Sequence, residues 1–220
     1  MMKKIMALLC AILMLAAIAG CGAKATDENK PAESTPADST PAESTPADST
    51  PALSVEDAKA VMNGLMKDAT GVWFYHTCGG CPSDMDSPAP GKEGYFLVDS
   101  PDFNTLETLK AYTEQFFTPE CAQRSFYAFI GDDVEYSRFL EIDGKLYAFS
   151  GGKGWPYEYN LDSLAIISQS ADTLTVSVDR TCFEQTEGKS VFVFKKTDGK
   201  WRFDNNFSES ATEDYLKLIG

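Results

Sequence analysis

The chain has 220 residues and carries 33 acidic against 19 basic side chains, a formal charge of −14 at pH 7. That balance is the reverse of what a phosphate backbone or an anionic lipid surface attracts, so it argues against nucleic acid as a partner and against a basic contact with lipid. There is one histidine, His76, so any Ser-His-Asp or Cys-His relay has only that residue to draw on.

The N-terminus reads MMKKIMALLCAILMLAAIAGCG. Lys3 and Lys4 precede an apolar run from Ile5 to Ala19, which then meets small residues and a cysteine. This is the layout of an export signal, with an apolar core short for a stable membrane span. The stretch Ile18–Cys21 resembles the lipobox of bacterial lipoproteins. That resemblance implies a signal peptide over 1–20 and a mature chain that starts at lipidated Cys21. The location would then be extracytoplasmic, with a lipid anchor in the cell membrane. Residues 21–52 follow as a tether in which the unit P-A-[E/D]-S-T repeats four times. It offers no large apolar side chain to bury, so it cannot offset its ordering entropy and is expected to be extended and disordered.

Residues 53–220 form one domain by length, with 27 acidic and 15 basic side chains, a balance of −12. LSVEDAKAVMNGLMKDATG predicts a helix capped by Ser54, its apolar face made by Ala58, Val61, Met62, Leu65, Met66 and Ala69. Gly71 is a possible break before the aromatic run VWFYH. A loop rich in Gly, Pro and Asp is expected from Thr77 to Glu93, then a short strand in GYFLVDS. FNTLETLKAYTEQFF predicts a second helix, capped by Asn104 or Thr105. A third begins at Thr118-Pro119, where proline's missing N–H costs nothing. Beyond Gly131 the pattern becomes strand–turn–strand: VEYSRFLEIDGKLYAFS with Asp143-Gly144 at its turn, then LAIISQSADTLTVSVDRT and SVFVFKKTDGKWRFDNNF. Helices grouped ahead of an antiparallel meander indicate an α+β fold, with N-terminal helices packed on a curved antiparallel sheet.

Four cysteines remain in this domain: Cys78, Cys81, Cys121 and Cys182. CGGC, with His76 two residues ahead, admits three readings. A redox centre would place its first cysteine at a helix start, but here the motif follows a helix and runs into Pro82, Pro88 and Pro90. A zinc site would need a fourth ligand beside His76, Cys78 and Cys81, and Cys121 and Cys182 are isolated. A covalent staple is the simplest: Cys78–Cys81 across two glycines, and Cys121–Cys182 tying the third helix to the sheet. No metal or cofactor is expected. SGGKGW over 150–155 lacks the spacing of a phosphate loop. Trp155, Tyr157 and Tyr159 beside it either face a partner or cover the sheet.

The domain also resembles the bacterial DL-endopeptidase inhibitor family of the IseA type. The likeness is carried by SVEDAKAVM, WFYH, FNTLETLKAYTEQFFTPE and FLEIDGKLYAFSGGKG in that order. CGGC and the four cysteines lie outside the pattern. The resemblance implies a non-enzymatic envelope protein that blocks papain-like cysteine endopeptidases acting on peptidoglycan. An acidic loop occluding the protease cleft is a physical route, and Asp132, Asp133 and Glu135 of GDDVEY are the candidate contacts. The layout is also similar to cystatin-like and NTF2-like shapes, so the alternative is a small-molecule or glycan-binding module that uses a concave sheet.

Overall fold

The computed structural model describes residues 52–131, 136–152, 154 and 156–210. The signal segment, Cys21, the tether, Asp132, Asp133, Glu135 and Trp155 lie outside the described residues. Among the described residues no helix is long and apolar enough to cross a membrane.

The fold is α+β, and its first helix follows from its caps. Helix α1 spans Val55–Cys78. The Ser54 hydroxyl accepts from the Asp57 N–H (3.1 Å) and the Asp57 carboxylate accepts from the Ser54 N–H (3.0 Å), a reciprocal capping box. The helix runs through Gly71 without a break and stops where Gly79 takes φ 73°. Ala58, Met62, Ala69, Val72 and Trp73 are buried, with Val61, Leu65 and Met66 partly buried against the same core.

Strands β1 (Ser83–Pro88) and β2 (Tyr95–Val98) come next. The sequence reading places a loop over β1, because SDMDSP has little strand propensity; pairing to β2 decides otherwise, with an irregularity between Asp84 and Pro88. Helices α2 (Leu106–Thr113) and α3 (Pro119–Ser125) follow, capped by Thr105 and Thr118. After a 3-10 turn at Tyr127–Phe129 the chain enters β3 (Phe139–Ile142) and β4 (Lys145–Phe149). Then come β5 (Tyr157–Gln169), β6 (Thr173–Cys182), β7 (Gln185–Thr197), β8 (Lys200–Phe203) and a short helix α4 (Phe207–Ser210).

The strands make two antiparallel sheets, ordered β1-β2-β4-β3 and β5-β6-β7-β8. A single meander does not arise, because β2 crosses over α2 and α3 to pair with β4. Each sheet has its own core. The larger gathers α1, α3, Leu174, Val176, Val178, Phe192, Phe194, Phe203 and Phe207. The smaller gathers Val98, Phe103, Leu109, Phe139, Leu146 and Ala148. Asn205 continues the ladder beyond β8 with its side chain. Its carbonyl accepts from the Val193 N–H (2.9 Å) and its amide donates to the Val191 carbonyl (2.8 Å).

Candidate functional site

His76 lies in the last turn of α1, only 3% exposed, between the two cores. Its ring stacks on Phe126 of the larger core (4.8 Å between centroids) and meets Phe139 of the smaller edge-on (5.4 Å). The Thr113 hydroxyl donates to the Leu109 carbonyl (2.9 Å), so its oxygen is left to accept from Nε2–H of His76 (2.9 Å). Nδ1 is therefore the bare nitrogen, and it has no hydrogen-bond partner. Burial alone drives the imidazole from 6.5 down to about 3, so it is neutral at physiological pH. It packs in the seam, closed off from solvent. Among the described residues no three His, Cys, Asp or Glu side chains converge on a metal-sized point.

The cysteines do not form the expected staples. All four thiols are free in the structure, so neither Cys78–Cys81 nor Cys121–Cys182 is bridged. Cys121 is buried inside the larger core, its sulfur 3.8 Å from the Ser125 hydroxyl. Cys182 ends β6 at a hairpin tip. Cys78 closes α1 and Cys81 turns toward the smaller core. Burial pushes the Cys81 and Cys121 thiols up to about 12, and Cys182 also shifts upward through desolvation and the Glu187 carboxylate. A helix C-terminus is the negative end of the dipole, the wrong end for stabilising a thiolate.

The glycines of CGGC have a different task. A Cβ on Gly79 would run into the Gly151 carbonyl, and one on Gly152 would run into the Cys78 carbonyl. A Cβ on Gly80 would overlap the Phe74 ring. CGGC and SGGKG, separate in sequence, are thus the two sides of one backbone crossing, and each needs glycine because the other is there. Nearby, Tyr159 packs inward on Phe192 (5.1 Å) and the Arg180 guanidinium lies over Tyr157 (4.6 Å). These two tyrosines cover the sheet.

The same strand end opens a cleft of about 510 Å³ lined by Glu93, Tyr95, Tyr136, Ser137, Arg138 and Phe149. The β2–β4 pairing sets Tyr95 opposite Phe149, and their rings meet edge to face at 5.4 Å. The Tyr95 hydroxyl donates to the Ser137 carbonyl (2.6 Å). The Arg138 guanidinium lies 5.8 Å from the Phe149 ring centroid. Ser137, 2% exposed, ties the chain together here. Its hydroxyl accepts from the Gly131 N–H (3.0 Å) and donates to the Phe139 carbonyl (2.7 Å). The Arg138 N–H donates to the Phe129 carbonyl (3.0 Å). Gly131 and Ser137 are thereby pinned side by side, at the two ends of the segment that holds Asp132, Asp133 and Glu135. Tyr136, next to that segment, is 85% exposed with φ 63°.

Sequence reasoning did not find this cleft. Tyr95 carries no spacing signal, because it meets Arg138 and Phe149, neighbours across the β3–β4 hairpin, only through the crossover that pairs β2 with β4. No family model and no curated protein matches this chain.

Proposed function

We propose that this chain is a lipid-anchored protein of the cell envelope that acts by contact, binding a papain-like peptidoglycan DL-endopeptidase and inhibiting it. The observation that carries the reading is the pinned stem at Ser137. The buried Ser137 hydroxyl and the Phe139 carbonyl both accept from the Gly131 N–H, and the Arg138 N–H donates to the Phe129 carbonyl just before it, so Gly131 is held against Ser137 and Phe139. Between those ends the sequence is Asp132-Asp133-Val134-Glu135, followed by exposed Tyr136. Fixed ends reduce the entropy lost on binding, and an exposed tyrosine beside charge is a common interface anchor. A papain-like site holds a thiolate beside an imidazolium. Carboxylates presented to that imidazolium compete with the thiolate for it. The export signal, the resemblance to lipoproteins at Ile18–Cys21 and the tether supply a location where such enzymes work.

The test is peptidoglycan hydrolysis by a purified endopeptidase of this class with excess full chain present. Inhibition is expected, and it should fall at least tenfold in potency when Asp132→Asn, Asp133→Asn and Glu135→Gln are combined. Undiminished hydrolysis together with no complex in size-exclusion chromatography would overturn the reading. Equal potency of the triple variant would remove the acidic segment from it.

A further inference from the structure

The Arg138 cleft has a chemistry of its own, distinct from contact with a protein partner. Arg138 is half-buried, yet among the described residues its guanidinium has no carboxylate partner and no hydrogen-bond acceptor; it lies over the Phe149 ring and close enough to Tyr95 to act on its hydroxyl electrostatically. Lys59, Arg124, Lys189 and Lys195 each sit on a carboxylate, Lys110, Arg180 and Lys196 lie over aromatic rings, and Arg202 donates to backbone carbonyls. The Arg138 guanidinium is set apart by its place in the lining of the cleft. It offers five N–H donors in a planar fork that matches a carboxylate, at the wall of a cavity large enough for a ligand of ten to twenty heavy atoms by roughly the usual size range of such pockets.

The rest of the lining narrows the class. Tyr95 and Phe149 present a fixed edge-to-face pair, held by β2–β4 pairing and by the Tyr95 hydroxyl bond to Ser137, so a flat apolar body has a preformed wall. Glu93 also lines the cleft, and among the described residues no lysine does. A dianion such as a phosphate monoester would meet one cation, one anion and the negative field of the whole domain. A single carboxylate matches the single guanidinium. We propose that the Tyr95–Arg138–Phe149 cleft binds a small organic monocarboxylate with a flat apolar body, its carboxylate on the Arg138 guanidinium and its body against the two rings. This goes beyond the endopeptidase reading and does not depend on it, since the ligand is a free small molecule and its contacts are described residues of β2, β3 and β4 and their immediate flanks.

Indole-3-acetate and its neutral isostere indole-3-acetamide are suitable probes, titrated into the full chain at low salt and followed by calorimetry and by protein NMR. Indole-3-acetate is expected to bind saturably, with Kd of about 1 mM or tighter for a ligand of this size. The amide should bind at least about tenfold more weakly, the lower end of what a charge-assisted hydrogen bond contributes. Arg138→Gln should weaken the acid about tenfold and leave the amide unchanged, and Arg138→Lys should fall between. Tyr95 and Phe149 ring signals should shift on binding. No saturable binding to the native chain, equal affinity for acid and amide, or shifts confined to other residues would each overturn the proposal. The acid–amide comparison needs only the native protein, so it decides the matter even if a substituted chain unfolds.

Discussion

His76 allows a clean test of how the seam between the two cores is held. Its imidazole titrates at about 3 in the folded chain, against 6.5 in a solvated one, and desolvation is the cause. The cage explains the size of the shift: Phe126 and Phe139 flank the ring, Nε2–H is already committed to Thr113, and a proton added at Nδ1 would find no acceptor. A pKa that is lowered on folding means that the unfolded chain binds the proton first. The contribution of neutral His76 to stability is therefore fully present above about pH 6.5 and is lost as pH falls toward about 3, at about 1.4 kcal/mol per pH unit. Between pH 6.5 and pH 4.5 that amounts to roughly 2 kcal/mol, a large share of the roughly 5–15 kcal/mol typical of a domain.

The comparison variant is His76→Phe, which keeps an aromatic ring in the stack and leaves the Thr113 hydroxyl donating to Leu109. Urea denaturation of both proteins at pH 7.5, 6.5, 5.5 and 4.5, read by tryptophan fluorescence, gives the difference in unfolding free energy at each pH. Because the chain has a single histidine, that difference should change by about 1.4 kcal/mol per pH unit below 6.5, moving in favour of the variant. Carboxylate titration is common to both proteins and cancels. A pH-independent difference, or a native-state His76 NMR signal that titrates near 6.5, would refute the reasoning.

Two further outcomes follow from the backbone. Gly152→Ala drives a methyl group into the Cys78 carbonyl and should destabilise by about 1–3 kcal/mol, whereas Gly154→Ala, with open space around its Cβ, should stay within about 0.5 kcal/mol of the native value in the same urea assay. If the two substitutions prove equivalent, the crossing of CGGC with SGGKG is not a tight contact. At the β6–β7 turn, Phe183 and Glu184 both hold positive φ (48° and 67°), and Phe183 is 83% exposed. Replacing the pair with Asn-Gly should raise stability by about 1–2 kcal/mol, seen as a higher thermal midpoint. A lower midpoint would show that the Phe183 side chain contributes more than its backbone strain costs.

By itself the sequence determined what depends on neighbours along the chain. The Ser54, Thr105 and Thr118 caps, the apolar face of α1 and the Asp143-Gly144 hairpin are each local devices, and each could be read because its partner lies within four residues. The β6–β7 turn escaped notice because Phe-Glu is not turn chemistry; a long ladder on either side imposes it. β1 escaped for the same reason in reverse, as a weak strand made by its partner. The α+β class follows from the order of such local elements. Tertiary structure alone decided the rest. Pairing of β2 with β4 across two helices split the strands into two sheets and brought Tyr95 to Arg138 and Phe149, which the β3–β4 hairpin sets side by side. Folding placed His76 between two aromatic clusters and neutralised it, and it laid one glycine pair over another, giving CGGC a steric task where its spacing suggests a covalent or redox one. Local free energies are encoded by residues a few positions apart, but desolvation and close backbone approach exist only once distant segments have met.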